Sequence, residues 1–175
     1  MKLQNKHIAF LAGPGFEDLE FWAVYMRLVE EGARVTVVGL KAGDVYPSKS
    51  GGLTAKADMA AADVAPDQFD AIVIPGGWAP DKIRRYEAVT SLVKGIHDQG
   101  KIVGMICHAG LVGISARIVA GHRSTGSLGI KDDLVNAGAI WVDEPAFRDG
   151  NQVWGRVVED IPAFNRELVK ALVEG

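Results

Sequence analysis

The 175-residue chain contains one cysteine, Cys107, and only four histidines. A single thiol excludes an intramolecular disulfide and every metal site built from several cysteines. Basic residues are not in surplus either: 19 Lys and Arg stand against 22 Asp and Glu, a net charge of −3. Binding to nucleic acid or to an anionic membrane would call for the opposite balance, so neither is expected as a partner. Long hydrophobic runs are missing. The N-terminal stretch MKLQNKHIAFLAGPGFEDLE has only a short apolar run before Gly13 and Pro14, too short for a signal-peptide core or a membrane span. A soluble cytoplasmic protein is expected, and a lone reduced thiol suits that compartment. Low-complexity segments, internal repeats and linkers are absent, which makes residues 1–175 one expected domain. Its 48% hydrophobic and 23% charged residues are ordinary for a globular chain and argue against disorder.

What is present is a repeating unit: a short apolar run, then an amphipathic stretch. Runs at 8–12, 35–40, 71–74 and 102–106, with a fifth at 140–142, are nearly continuous in apolar residues. They read as strands buried on both faces. Helical patterns span 19–31, 87–99, 111–120 and 161–173, the first three followed by Gly32, Gly100 and Gly121 as stops. A short alternating strand is expected at 53–57 and a hairpin over 147–155, turning at Asp149-Gly150-Asn151. Alternating strands and helices predict an α/β sandwich with a mostly parallel sheet, whose ligands bind beyond the carboxyl ends of the strands.

Three of the loops after strands carry chemistry. The first, from Gly13 to Glu20, fails as a dinucleotide fingerprint because the third glycine position is Asp18, whose charge would repel a pyrophosphate. Glu17 and Asp18 suit a first helical turn, where acids complement the macrodipole. Glu20, between Leu19 and Phe21-Trp22, can point partly inward. The second loop, Pro75-Gly76-Gly77-Trp78, is either a plain glycine turn or a backbone aimed at a ligand. In the third, Cys107-His108 follows a strand and opens a helix. That is the placement of a nucleophile elbow, and a helix N-terminus there would lower the thiol pKa. Read on position alone, Cys107 serves equally well as a small buried hydrophobe. His108 is either an acid/base partner or a plain helix-start residue.

Taken together, the first-loop acids, Pro75-Gly76-Gly77 and Cys107-His108 resemble the ThiJ/PfpI superfamily, relatives of the class I glutamine amidotransferases. The PfpI branch of intracellular-protease-like proteins is the nearest in pattern. The similarity continues through Gly129-Ile130-Lys131-Asp132-Asp133, Asn136-Ala137-Gly138, Trp141-Val142-Asp143 and Arg156. It implies a flavodoxin-like three-layer sandwich with Cys107 as nucleophile. Glu20 then matches the acid that, protonated, donates to the cysteine sulfur. Gly76, Gly77 and the backbone N–H of His108 match the oxyanion-hole positions. Asp81 falls where the family carries a glutamate that reaches the histidine of a second copy. Cys107, His108 and Asp81 of the partner subunit would form a triad only in a homo-oligomer, a dimer or a hexamer built as a trimer of dimers. Glu17, Trp78, Ser127 and Arg156 are the candidate pocket residues. The chain departs from the pattern at Ala109-Gly110, where Gly-Pro is usual, at Ser127 in place of a tyrosine, and at Val157-Val158, where a proline often stands.

The resemblance suggests cysteine-dependent chemistry on reactive carbonyls, glyoxalase-type conversion of methylglyoxal or glyoxal, or deglycation of glycated amines. It calls for no metal and no organic cofactor. Peptide hydrolysis is the alternative, and a non-enzymatic redox sensor or chaperone-like stress protein is a third reading.

Overall fold

A computed structural model describes all 175 residues. The chain runs β1 (His7–Leu11), α1 (Asp18–Glu30), β2 (Arg34–Gly39), β3 (Val45–Pro47), β4 (Thr54–Lys56), β5 (Met59–Ala60), β6 (Ala71–Ile74), α2 (Ala79–Ile83), α3 (Glu87–Asp98) and β7 (Ile102–Ile106). It continues with α4 (Gly110–Ser115), β8 (Arg123–Ser124), α5 (Lys131–Asn136), β9 (Ile140–Trp141), β10 (Ala146–Asp149), β11 (Gln152–Gly155) and α6 (Ile161–Glu174). Seven strands form the main sheet in the order β10-β11-β7-β6-β1-β2-β5. All neighbours are parallel except β10, which pairs antiparallel with β11.

Two apolar layers hold the sheet. On one face Phe10, Val73 and Val153 meet Phe21, Val24 and Leu28 of α1 and Phe164 and Leu168 of α6. On the other, Leu11, Ile72 and Met105 meet Leu92, Val93 and Ile96 of α3 and Val112 of α4. Each such side chain, fully buried, contributes about 1.5–3 kcal/mol. The result is a three-layer α/β sandwich, as the alternation of elements implies, and it is of the flavodoxin-like type that the resemblance implies. No helix is long and apolar enough to cross a membrane.

Four of the five expected strands lie in this sheet. The fifth does not: Ile140–Trp141 pairs with Arg123–Ser124 in a separate two-stranded ribbon. Ile140 is exposed, so that apolar run is not a strand buried on both faces. The expected helix over 111–120 stops at Ser115, because Arg117 takes a left-handed conformation with φ 58°. The strand at 53–57 appears as β4, paired with β3 in a small ribbon of its own. The hairpin over 147–155 is present and extends the main sheet through β11.

The chain fills the sheet outward from β1, first to β2 and β5 and then, across β1, to β6, β7 and β11. The loops leaving β1 and β6 therefore diverge, and the crevice between them is where this topology binds ligands. The sheet ends in two-residue β5 on one side and in β10 on the other.

Candidate active site

The loop after β1 is stitched on both sides. Its Phe16 bridges Ser48 and Gly77, Gly15 N–H donates to Pro47 O at 2.8 Å, Trp78 N–H donates to Gly15 O at 2.8 Å, and Glu17 N–H donates to Gly76 O at 3.1 Å. Gly77, with φ 79°, cannot carry a side chain here, because a Cβ would run into the backbone of residues 15–17. The loops after β1 and β6, and the strap after β3, are thereby locked side by side.

Cys107 stands at the carboxyl end of β7. Ile106 is still extended, but Cys107 has φ 60° and opens a 3-10 turn into α4. A non-glycine residue in that region carries roughly 1–2 kcal/mol of strain. The fully buried strand before it and the 3.2 Å bond from Ser127 N–H to Cys107 O hold it there. This is the strand-to-helix elbow that lifts a nucleophile above a sheet. His108 turns back along the same turn, with Nδ1 3.3 Å from Cys107 Sγ. Burial, followed by the charge of Lys49, holds the His108 imidazole below its usual pKa, so it stands neutral and able to accept a proton.

Glu20 arrives from α1. Glu17 caps that helix, accepting from Leu19 N–H and Glu20 N–H at 2.8 Å each, and the helical phase so set puts Glu20 on the buried face with Val24 and Leu28. The carboxyl is wholly buried, and Gly76 N–H donates to its Oε2 at 2.7 Å. Oε1 has no conventional partner; the carboxyl's other interaction is with the Cys107 thiol. Burial, then the neighbouring Glu17 charge, pushes Glu20 up to about 8. Gly76 is the hub of the site: a Cβ on it would collide with Glu20 Oε2 and come within 2.9 Å of Cys107 Cβ and 3.1 Å of His108 N.

The expected lowering of the thiol pKa by a helix N-terminus is corrected. Burial pushes the Cys107 thiol up, and the Glu20 charge pushes it further. Only a 3-10 turn and a six-residue helix follow Cys107, too little aligned backbone to offset that burial. Two acids this close titrate as a unit. Charge on Glu20 opposes charge on Cys107, so a proton kept on Glu20 favours thiolate on Cys107. The His108 backbone N–H also favours the thiolate.

The oxyanion assignment of Gly76 needs correction as well, since its N–H is committed to Glu20. The N–H groups of Gly77 and His108 remain. Asp81, on α2, borders a cavity of about 540 Å³ with Gly77, Trp78 and His108, but its carboxylate is bound by Arg85 at 2.6 Å and makes no hydrogen bond to His108 of its own chain. Trp78 is half exposed at that cavity. Ser127 lies beside the elbow, where its hydroxyl caps the turn at Gly129. Arg156 follows the pair Gly155–Ile106 and so stands level with Cys107, but its guanidinium is held by Asp143 and Asp160 at 2.9 Å each and does not enter the cavity. No cluster of three or more His, Cys, Asp or Glu side chains is disposed to hold a metal ion.

Lys49 was not singled out from the sequence, and Asp18 was read there only as an acid of the first helical turn. Lys49 reaches the site from the strap after β3, its ammonium 4.7 Å from the Trp78 ring centre. Asp18 accepts from Ser48 Oγ at 2.8 Å and from the Ser50 amide at 3.2 Å and hydroxyl. Neither has a local signal, because the strap meets α1 only through long-range pairing.

Comparison with known proteins agrees with this arrangement. The model of the DJ-1/PfpI family matches residues 6–171. A protein of Pyrococcus abyssi named deglycase PYRAB04690 is 44% identical over 165 residues, covering 94% of this chain and 98% of its own length. The deglycase PfpI of Pyrococcus furiosus is 40% identical over the same coverage. Among solved structures, a two-domain Anabaena variabilis protein with DJ-1/ThiJ/PfpI-like and ferritin-like domains superposes with TM-score 0.94 at 35% identity. The match covers 96% of this chain and 48% of that one, so the chain spans about half of the larger protein.

Proposed function

The chain belongs to the DJ-1/PfpI family, and from that premise we propose that it is a cysteine-dependent enzyme of reactive carbonyls, a deglycase or glyoxalase working in the cytoplasm. The observation that carries the reading is the buried Glu20 carboxyl, fixed by Gly76 N–H and interacting with the thiol of a strained elbow.

The steps follow from these groups. Glu20 stays protonated while the Cys107 sulfur attacks the carbonyl carbon, and the thiol proton passes to Nδ1 of neutral His108. A C–S bond forms, the π pair moves to oxygen, and the N–H groups of Gly77 and His108 receive the developing charge. His108 returns its proton to that oxygen, which gives a hemithioacetal and leaves the imidazole neutral again. With methylglyoxal, neutral His108 takes the proton from the former aldehyde carbon, and return of a proton to the adjacent carbon gives a thioester. Water then cleaves the C–S bond and releases lactate and the thiol. With an early glycation adduct, in which an amine is already bonded to the former aldehyde carbon, the C–N bond breaks as the C–S bond forms, the amine leaves carrying the thiol proton, and the same hemithioacetal results.

Peptide hydrolysis ranks second. It requires His108 to be oriented by an acid while it protonates an amine leaving group, and within one chain no carboxylate bonds to it. Asp81 of the partner subunit would have to supply that contact in a homo-oligomer. The test is incubation with methylglyoxal in the absence of glutathione. Lactate should form with the wild type and not with Cys107→Ser; equal product from both sinks the proposal.

A further inference from the structure

Above the elbow, one cation stands out. The Lys49 ammonium lies over the Trp78 ring, and Trp78 lines the cavity that Gly77 and His108 also border. Lys49 is exposed in its strap, and its charge acts on His108 second only to burial and on Glu20 and Cys107 as the smallest of several effects. No carboxylate forms an ion pair with it. Of the charges that line the cavity itself, Asp81 is bound by Arg85 and Arg84 Nε donates to Ser115 at 2.8 Å, while Lys82 and Asp133 are left without an ion pair. Lys49 differs from both in being pinned over Trp78.

The position of Lys49 is built. Its own N–H donates to Phe16 O at 2.7 Å, and the residues on either side, Ser48 and Ser50, are both held by the Asp18 carboxylate. A long flexible side chain usually spends much of its rotamer freedom in finding a partner. Here the strap fixes the backbone and the indole face holds the ammonium, which together preorganise a positive charge over the Trp78 wall of the cavity.

We propose that Lys49 is the specificity-determining residue of this site, receiving a carboxylate carried next to the reacting carbon of the substrate, and that Asp18 positions it through Ser48 and Ser50. The inference rests on the carbonyl-enzyme reading for the word substrate and narrows it to carboxylate-bearing carbonyls. A charge at the cavity mouth discriminates in this way because a small anion gains from it while a neutral analogue of the same size does not.

The test reads the sulfur directly and so does not depend on turnover. Cys107 is the chain's one thiol, and alkylation forms its S–C bond as the C–I bond breaks and iodide leaves. Iodoacetate and iodoacetamide have nearly the same shape and differ in charge. The ratio of their rates cancels the thiolate fraction, which a merely thiolate-stabilising lysine would change. Lys49→Met should lower the iodoacetate-to-iodoacetamide ratio about tenfold, the size expected for losing one cation that meets the reagent's carboxylate. Lys49→Arg should largely keep the ratio, and Asp18→Asn should lower it in the same direction. A Lys49→Met ratio unchanged within about twofold overturns the proposal, as does a larger loss from Lys82→Met, whose cation borders the same cavity. Absence of lactate from methylglyoxal would instead count against the carbonyl reading and leave the ratio test intact.

Discussion

Gly76 N–H donates to Glu20 Oε2 at 2.7 Å, joining residues 56 positions apart in a wholly buried bond. That bond anchors the acid and removes one amide from the groups free to meet a substrate oxyanion. The balance of the site then depends on where the carboxyl keeps its proton.

Glu20 should make stability fall as pH rises. Its carboxyl moves from 4.5 to about 8 on folding, so between those values the folded protein holds a proton that the unfolded chain has released. Stability is favoured below pH 4.5, declines by up to about 1.4 kcal/mol per pH unit through the window and levels off above pH 8. Urea unfolding of wild type and Glu20→Gln from pH 5 to 8.5 isolates this from the histidines. The variant should gain on the wild type as pH rises; a constant difference contradicts the assignment.

Cys107 should prove better for chemistry than for folding. With φ 60°, Cys107→Gly is expected to exceed Cys107→Ala in stability by about 1 kcal/mol, while both lose turnover. Thermal melts of the two inactive variants provide the comparison, and an alanine variant as stable as the glycine one would show that the elbow is unstrained.

Gly76→Ala places a methyl group against Glu20 Oε2 and Cys107 Cβ. Loss of at least about 100-fold in kcat is expected, since a displacement of about 1 Å at reacting groups has that effect. Circular dichroism should still report a folded chain, because the collision is confined to the site. Near-normal turnover would remove Gly76 from the hub.

Arg117 closes α4 in the left-handed region, at φ 58°. Arg117→Gly should therefore stabilise the protein by up to about 1 kcal/mol, seen as a higher unfolding midpoint with activity unchanged. A lower midpoint would mean that the arginine side chain contributes more than its backbone costs.

The residues that were legible from sequence are those whose role is set by local pattern. Runs such as Ala71–Ile74 and Ile102–Ile106 are apolar throughout because both faces of the strand are covered, and Cys107 was readable from its place after one of them. Ile140 misled, since two apolar residues in a small exposed ribbon look the same as a buried strand. Arg117 misled because a left-handed helix end on a non-glycine residue carries no compositional signal, whereas Gly121 did. The direction of the Gly76 amide is fixed by a carboxyl from another element, and the approach of Lys49 depends on Phe16 bridging Ser48. Neither is written in any local stretch. The similarity of the motifs located Glu20, but only its burial gives that acid its proton.

The two flanks of the main sheet limit how copies of the chain can associate. One flank ends after two residues, Met59–Ala60, and the other in the four residues Ala146–Asp149, where Arg148 and Asp149 bring charge to the rim. Neither offers a long ladder of free amides for a neighbouring molecule to zip onto, which guards against open-ended stacking. Strand addition is thereby disfavoured at both flanks, which leaves helix and loop faces, Asp81 on α2 among them, as the surfaces on which two copies could meet.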